Sequence, residues 1–287
     1  MKRAARDIML AERHDLQARH AALFRPRFGR RALVAVVIAS LAALALYGFW
    51  RLEFSFDRLG SGAAQIAHII AMMFPPSPGS QLPLFLHALA ETLAIALLGT
   101  LAAAILALPV GLLAARNVVP NIFTHFAVRR FLDAIRGVDV LIWALIFINV
   151  VGLGPFAGIL AIAVSDFGTF GKLFSEAIEA SDKRPTEGIL STGGSHLHAV
   201  RFALMPEVFP VIVSQVLYYF ESNTRSATII GIVGAGGIGM HLTEQIRTLE
   251  WDKVSFLILM ILVTVAAIDW LSARLRLAVI GRTSVVV

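Results

Sequence analysis

Residues 138–173 read VDVLIWALIFINVVGLGPFAGILAIAVSDFGTFGKL, and this stretch decides the fold. As a single helix its 36 residues would be roughly 54 Å long, whereas the hydrocarbon core of a bilayer is about 30 Å thick. The stretch must therefore fold back on itself, and Gly152, Gly154 and Pro155 supply the break. It predicts two membrane spans, one on each side of a glycine-proline turn.

Four further apolar runs surround this stretch, each close to the ~20 residues that a helix needs to cross a bilayer, or longer. They cover residues 32–50, 84–115, 203–220 and 255–275. No small-residue cleavage site follows the first run, so we expect a retained anchor and not a signal peptide. The sequence predicts an all-α polytopic membrane protein with six transmembrane helices.

Two segments between the spans have the pattern of surface helices. Residues 59–74 place Ile66 and Ile70 at helical spacing before a proline-rich break. Residues 122–136 set phenylalanines against Arg129 and its basic neighbours, which is typical of an amphipathic helix at a membrane surface.

The composition agrees with a membrane protein and excludes several other classes. Hydrophobic residues make up 57% of the chain, charged residues 15%, and the mean hydropathy is +0.78. The net charge of +6 would suggest nucleic acid in a soluble protein, but the basic residues here lie beside apolar spans. The chain has no cysteine, which excludes disulfides, thiolate nucleophiles and thiolate metal sites.

The distribution of the 25 Lys and Arg residues predicts the orientation of the spans. Twenty of them lie in residues 1–31, 116–137, 172–201 and 274–287, which six spans place on one side of the membrane. Basic residues accumulate on the cytoplasmic side, so both termini are predicted to be cytoplasmic. The other five are predicted to lie outside: Arg51, Arg58, Arg225, Arg247 and Lys253.

The predicted organisation has five parts. They are a basic cytoplasmic tail (1–31), a transmembrane anchor (32–50), a periplasmic segment (51–83), a transmembrane core (84–278) and a cytoplasmic C-terminal tail (279–287). A seventh span in the glycine-rich residues 227–240 would place the C-terminus outside. We therefore expect that run to be embedded in the membrane without crossing it.

The loop between the fourth and fifth spans contains Thr186-Glu-Gly-Ile-Leu-Ser-Thr-Gly193. It predicts a short cytoplasmic helix that ends at Gly193, after which the chain re-enters the membrane at Pro206. Glu187 falls in the first turn of this helix, where the helix dipole favours a negative charge. On local chemistry alone, an ordinary connecting loop is the simpler interpretation.

The spacing of Glu187, Gly193 and Pro206 resembles the cytoplasmic signature of ATP-binding-cassette (ABC) importer permeases, with Gly188 and Ile189 at its two small positions. A second stretch resembles the phosphonate-transporter permeases in particular: it runs Phe-Glu-Ser-Asn-Thr-Arg-Ser-Ala-Thr over residues 220–228, and glycines follow at 231, 234, 236, 237 and 239. The resemblance covers about residues 84–278. It implies the core of a type I importer permease, the MetI-like fold.

The resemblance also implies a function and partners. The chain would be the permease subunit that moves phosphonate, or a related phosphorus oxyanion, across the bacterial inner membrane by alternating access. Its partners would be a cytoplasmic ATPase dimer, a periplasmic phosphonate-binding protein and a second permease copy, and the coupling loop would contain Glu187, Gly188, Gly193 and Pro206. ATP and Mg would bind to the ATPase, because this chain has no phosphate-cradling Gly-Lys-Ser/Thr loop, and we expect no cofactor, metal or catalytic residue here.

The candidate residues of the substrate pathway or gate all follow the predicted fifth span: Glu221, Ser222, Asn223, Arg225, Ser226, Thr228, Gly234, Gly236 and Gly237. Arg225 lies among hydroxyl and amide donors, and its planar guanidinium suits the oxygens of a phosphonate dianion. An interfacial anchor or an intrachain pair with Glu221 explains Arg225 equally well. The glycines serve either a flexible gate or close helix packing.

Other motifs were weighed against their context. Residues 234–239 match the dinucleotide fingerprint, with Asp252 near the ribose-binding distance, but a membrane span follows Asp252 almost at once and the required βαβ unit is absent from the pattern. His196 and His198 are two residues apart, a spacing that does not converge on one metal along a helix.

Acidic residues in or beside the spans are functional candidates, because charge inside a bilayer is costly. Glu207 and Asp269 lie near the cytoplasmic interface, where capping or snorkelling explains them. Glu91 and Asp166 lie deeper. An interior hydrogen-bonded role and a pathway-lining role both remain open for these two residues.

Three alternative functions remain. The first is an importer permease for another solute, such as phosphite, phosphate or methionine, because a fold does not fix its ligand. The second is an ion-coupled secondary transporter, which should carry inverted repeats and ionisable pairs near the midplane. A membrane enzyme is the third and weakest, since the sequence offers no nucleophile with a matching base.

Overall fold

A computed structural model describes residues 28–52 and 55–280, and all regular elements in these ranges are helical. Two units are distinguished, Met1–Ala67 and His68–Val287. Helix α1 (Phe28–Arg51) lies in the first unit, and α2 (Phe56–Met72) crosses the boundary. Most of the predicted tails, residues 1–31 and 279–287, lie outside the described residues.

The second unit contains the rest of the helices. They are α3 (Leu82–Ala114), α4 (Ile122–Arg136), α5 (Val140–Val151), α6 (Pro155–Ala180), α7 (Arg184–Ser191), α8 (His196–Ala199), α9 (Met205–Ile232), α10 (Ile238–Arg247) and α11 (Trp251–Ile280). A π-helical turn, Val200–Leu204, joins α8 to α9 without a break. The all-α prediction is confirmed.

In the described ranges, five helical segments are long and apolar enough to cross a membrane: Ala32–Arg51, Gly79–Ala114, Pro155–Ala180, His196–Ile232 and Trp251–Ala278. A sixth span is obtained if α4 and α5, which meet at 81°, are counted together. The predicted third span is therefore α5, which has only 12 residues, preceded by the amphipathic α4.

The turn between α5 and α6 forms where the sequence predicted the chain to fold back. Gly154 has φ +133°, a conformation that side chains disfavour, and Pro155 follows at the start of α6. At the other end of α5, the Asp139 carboxylate accepts a hydrogen bond of 2.8 Å from the Leu141 N–H. A capped start and a glycine stop thus limit α5 to its short length.

The fifth span is longer at both ends than the prediction of residues 203–220. Its helix begins at His196, after a capping box formed by Ser195 and His198, and continues to Ile232. Pro206 therefore lies inside a continuous helical segment and does not start it. Proline lacks an N–H and clashes with the carbonyl four residues back. The π turn, in which the Met205 N–H bonds to the Val200 carbonyl, widens the helix there.

Helices α3 and α6 approach closely because α3 carries a stripe of small residues. Gly99, Ala103, Ala107 and Gly111 recur every fourth position and are all buried. A Cβ atom on Gly99 would lie 2.8 Å from Ile162, and one on Gly111 would lie 2.9 Å from Phe174. Without a hydrophobic force between helices in lipid, such close van der Waals packing drives association.

Helix α4 is held against α6 by packing and by ion pairs. Gly168 and Gly171 of α6 face Leu132, since an added Cβ would collide with the backbone or side chain of that residue. Beside this contact, Arg129 pairs with Glu179 and Lys172 pairs with Asp133, both at 2.8 Å. These contacts fix the end of α4, from which the chain turns into α5.

The glycine-rich run, residues 227–240, contains a turn that packs against α3. The first residues of the run complete α9, residues 233–237 form the turn, and α10 follows. Glu91 accepts a hydrogen bond from the Gly237 N–H at 3.0 Å, and Thr92 accepts one from the Ile238 N–H at 2.8 Å. Two side chains of α3 thus satisfy the first N–H groups of α10, which have no partner within their own helix.

The packing of Gly239 gives a first prediction. A Cβ atom there would collide with the Thr228 carbonyl oxygen and lie 3.0 Å from the Gly231 Cα, both of which are backbone atoms with little freedom to move. We expect Gly239→Ala to destabilise the chain by about 1–3 kcal/mol. The measurement is thermal unfolding of the detergent-solubilised chain, with the fraction that remains folded at each temperature monitored by size-exclusion chromatography.

Gly188→Ala is the matched control, because a Cβ atom on Gly188 meets nothing within 4 Å and alanine favours the helix. Equal melting temperatures for the Gly239→Ala and Gly188→Ala variants would contradict this account of the turn.

Candidate functional site

One side of α9 lines two successive cavities. The first is a groove of about 520 Å³, and its α9 residues include Glu207, Val211, Ser214 and Tyr218. The second has a volume of about 280 Å³, and its α9 residues include Ser222 and Ser226. The spacing of three or four residues places all of these on one stripe of the helix. Tyr219 lines both cavities, so they adjoin.

The smaller cavity is lined mainly by polar side chains, and we call it the polar cavity. It lies between the junction of α4 and α5, the middle of α6, and α9. The lining residues are Arg136, Val138, Asp139, Val140, Ser165, Asp166, Thr169, Tyr219, Ser222, Asn223 and Ser226. A polar cavity inside a bundle of membrane helices is a candidate for a solute pathway, because polar groups are kept from lipid unless they have a function.

A buried hydrogen-bond network forms one wall of the polar cavity. The amide of Asn223 donates to the carboxylate of Asp166 and, at 2.8 Å, to the hydroxyl of Thr100. Thr100 in turn donates to the Ala96 carbonyl. All three side chains are buried, Asp166 with 6% of its surface exposed. Three spans, α3, α6 and α9, are thus joined by polar contacts at one level.

Arg136 supplies the positive charge of the polar cavity. It is the last residue of α4, and Gly137 follows it, so its side chain projects where the chain turns toward α5. It is exposed and makes no hydrogen bond or ion pair with any residue that the structure describes. Such a guanidinium, beside hydroxyl groups, can bind an anion.

Glu221 and Arg225 lie on a different side of α9 from the polar cavity. Arg225 pairs with Glu221 at 3.1 Å, and Arg276 of α11 approaches the other Glu221 oxygen at 3.5 Å. The intrachain pair considered for Arg225 is therefore present. The charge count placed Arg225 and Arg276 on opposite sides of the membrane, but both contact one carboxylate. Arg276 lies one turn before the end of α11, so the two arginines do not lie at opposite interfaces, and the side of the membrane on which Arg225 lies stays a prediction.

The other candidates in the second stretch have packing contacts. Thr228 donates to the Thr224 carbonyl within α9. A Cβ atom on Gly234 would collide with Leu153, one on Gly236 would lie 2.9 Å from the Pro155 nitrogen, and one on Gly237 would collide with Thr92. These contacts agree with the packing interpretation of the glycines. Whether the turn also moves as a gate stays a prediction.

The predicted coupling loop forms a short exposed helix. None of the α7 residues is buried, and Glu187 lies in its first turn with its side chain exposed. Gly193 follows with φ +85°, and the N–H groups of Gly193 and Gly194 bond back to the carbonyls of Leu190 and Ile189. The helix ends at a glycine as predicted, because this left-handed conformation favours glycine.

The bundle holds the start of α7. Glu207, near the start of α9, accepts a hydrogen bond of 2.7 Å from the Asp182 N–H before α7, so Glu207 has the capping role that was considered for it. Thr186 and Glu187 also line a cavity of about 200 Å³ against Asn117 and His196. Of the other acidic candidates, Glu91 caps α10 and Asp269 is exposed.

Sequence reasoning missed Arg136, Ser165 and Thr169 as neighbours of the fifth span. Arg136 was assigned to a surface helix, and the two hydroxyl residues appeared to be ordinary members of an apolar run. One signal was present: Ser165, Asp166 and Thr169 place polar groups on one side of a helix, at positions i, i+1 and i+4. Asp166 was noted alone, and its polar neighbours were not.

Comparison with known proteins places the chain in a family. The sequence model of the family described as "binding-protein-dependent transport system inner membrane component" matches residues 107–280. A putative phosphite transport system permease protein of Stutzerimonas stutzeri is 41% identical over 247 residues, which are 86% of this chain and 86% of that protein. A phosphate-import permease of Mycolicibacterium smegmatis is 36% identical over 88% of this chain and 47% of its own length.

A solved structure supports the fold. The inward-facing MetNI methionine ABC transporter contains a chain that superposes with a TM-score of 0.63 at 20% identity, covering 71% of this chain and 99% of that chain. The fold is that of a type I importer permease, as predicted. Since the family model matches more than half of its length, this chain belongs to the inner-membrane components of binding-protein-dependent transport systems.

Proposed function

We propose that this chain is the translocating subunit of an ATP-driven importer for phosphonate or a related phosphorus oxyanion. The observation that carries the proposal is its 41% identity to a phosphite-system permease over 86% of both chains. The likeness to the methionine transporter, at 20% identity, supports the fold and not a substrate. Within the fold, the stripe of α9 that lines the two adjoining cavities is the best candidate for the pathway.

The proposed path for the solute follows that stripe. A solute that crosses the bundle needs polar groups to replace its water, and Ser214, Tyr218, Ser222 and Ser226 offer hydroxyl groups on one side of α9. Arg136 adds a positive charge beside them. Glu221, Arg225 and the glycine turn would then act by holding α9 in place, through α11 and α3.

The proposed orientation has both termini and α7 on the cytoplasmic side. The basic residues support it, since 20 of the 25 Lys and Arg residues lie in the four segments that this orientation places inside. The segment 51–83 would be periplasmic, and 84–278 would form the transport core in the bacterial inner membrane.

The proposed power source is a separate ATPase dimer, which would bind ATP and Mg. Helix α7 is suited to contact it, because none of its side chains is buried and Glu207 of α9 bonds to the chain just before its start. One chain offers one such helix, so a dimeric ATPase calls for two permease copies, most simply a homodimer. A periplasmic binding protein would deliver the solute on the other side.

The proposed mechanism is alternating access without covalent chemistry on the solute. ATP binding would close the ATPase dimer, α7 would transmit the movement, and the continuous helical segment His196–Ile232 would tilt. Tilting of this segment would open the α9 stripe first to one side of the membrane and then to the other.

The substrate is tested by uptake. In cells that lack their own copy of this chain, we expect the chain to restore uptake of radiolabelled methylphosphonate or phosphite. The reason is that two of its relatives are named as permeases for phosphite and phosphate. Phosphate and methionine complete the panel. The control expresses the chain in cells whose partner ATPase is inactive.

Restored methionine uptake, without uptake of any phosphorus oxyanion, would contradict the proposed substrate. Uptake that persists without an active ATPase would favour the ion-coupled secondary transporter.

The coupling role of Glu187 is tested by reversing its charge. If Glu187 contacts the ATPase, Glu187→Lys should weaken copurification of the ATPase and lower uptake about tenfold, which corresponds to about 1.4 kcal/mol. The amount of chain in the membrane should not change, since α7 buries no side chain.

Glu176→Lys is the matched control for this variant. Glu176 is also an exposed acidic residue, but it lies on α6 and outside α7. The coupling role is refuted if both reversals reduce ATPase recovery equally, or if neither does.

A further inference from the structure

The polar cavity has an unusual combination of charges for a site that accepts an anion. Arg136 and the hydroxyls of Ser165 and Ser222 can donate hydrogen bonds to a solute, whereas the hydroxyls of Thr169 and Ser226 donate to carbonyls of their own helices. Asp139 and Asp166 line the same cavity and, as carboxylates, can only accept them. Asp139 is exposed to solvent and accepts from the Leu141 N–H, whereas Asp166 is buried. A fully ionised dianion would meet the donors favourably and the Asp166 carboxylate unfavourably.

Asp166 is fixed in position by its neighbours. Asn223 donates one amide hydrogen to Asp166 and another to Thr100, so both hydrogens of this amide are used within the protein. No cation pairs with Asp166 among the residues that the structure describes. Its remaining acceptor capacity is therefore available to a solute in the cavity.

A singly protonated phosphorus oxyanion matches this arrangement. Such an ion carries one P–OH group, a donor, together with unprotonated oxygens that only accept. Phosphate monoesters have a second pKa of about 6, so both protonation states occur near neutral pH. Sulfate has the same shape and charge as the dianion but carries no proton at neutral pH. It therefore offers nothing to an acceptor.

We propose that the polar cavity is a selective binding site for the singly protonated form of the phosphorus oxyanion. Asp166 accepts the hydrogen bond of the P–OH group, and Arg136 with Ser222 donates to the unprotonated oxygens. The same carboxylate rejects sulfate, because sulfate has no proton to donate and the two negative groups would face each other without a hydrogen bond between them. This inference rests on the proposed function and names the form of the solute that its pathway accepts.

The volume of the cavity is compatible with the proposal. About 280 Å³ is large enough for a small oxyanion together with several water molecules, each of which takes about 30 Å³ in the liquid. The site would therefore hold the solute loosely while it passes.

The absence of native cysteine from the sequence gives a direct test. Ser226→Cys places a single thiol in the polar cavity of the full chain, which is reconstituted in lipid nanodiscs. A small water-soluble methanethiosulfonate reagent then reports whether the cavity is occupied, because a bound ion slows the modification. Ser214→Cys, on the same stripe but in the larger groove, is the matched control.

We expect methylphosphonate and phosphite to slow the labelling of Ser226→Cys, about fourfold at a concentration three times their Kd. Sulfate at equal ionic strength should give no protection, and the labelling of Ser214→Cys should not respond. Adding Arg136→Gln should weaken protection about tenfold or more, since it removes the charged donor. Arg130→Gln, which alters an exposed arginine of the same helix outside the cavity, should have no effect.

Asp166→Asn is the decisive variant. An asparagine amide has nearly the same shape, can still accept from Asn223 and can also donate to an unprotonated oxygen. We expect sulfate to protect Ser226→Cys in this background, a gain of binding that a merely structural role for Asp166 would not produce.

The proposal is overturned if labelling is unaffected by methylphosphonate and phosphite, or if sulfate protects when Asp166 is present. Either result is independent of the uptake panel. Phosphonate uptake without protection of the thiol refutes the site and leaves the proposed function standing. Protection of the thiol without phosphonate uptake supports the site and contradicts the proposed function.

Discussion

The structure depends on one constraint: a polar group inside the bilayer must find its partner inside the protein. The turn after α9 is the clearest case, because it leaves the first N–H groups of α10 without partners in their own helix. Glu91 and Thr92 of α3 accept hydrogen bonds from Gly237 and Ile238. A charged residue and a helix end that would each be costly alone thereby stabilise each other.

Close helix packing allows these polar contacts to form. The small residues from Gly99 to Gly111 let α6 approach α3, which brings Asp166 near Thr100 and leaves Asn223 of α9 to bridge them. The same network forms a wall of the polar cavity. Stability and the proposed transport pathway therefore depend on the same contacts, and a bulky side chain in the small-residue stripe would disturb both.

The sequence predicted what depends on local pattern and missed what depends on neighbouring helices. Apolar length and the glycine-proline break located most spans, and the left-handed turn at Gly193 followed from residue type. The start of the fifth helix was placed too late, because Pro206 suggested a beginning where a π turn accommodates it. Charge counting could not show that Arg225 and Arg276 contact the same Glu221 carboxylate, since the two arginines are far apart in sequence. The contribution of Arg136 to the polar cavity could not be predicted without the fold.

The central claim is that this chain couples the transport of a phosphorus oxyanion to ATP hydrolysis by a separate ATPase. One measurement tests it most directly. The tagged chain is purified with its partners, reconstituted in nanodiscs, and assayed for ATP hydrolysis with the periplasmic binding protein either empty or loaded with methylphosphonate. The account predicts that an ATPase copurifies and that the loaded binding protein stimulates hydrolysis more than the empty one. The account is contradicted if the folded chain is recovered without any ATPase, or if the rate of ATP hydrolysis is the same with the loaded and the empty binding protein.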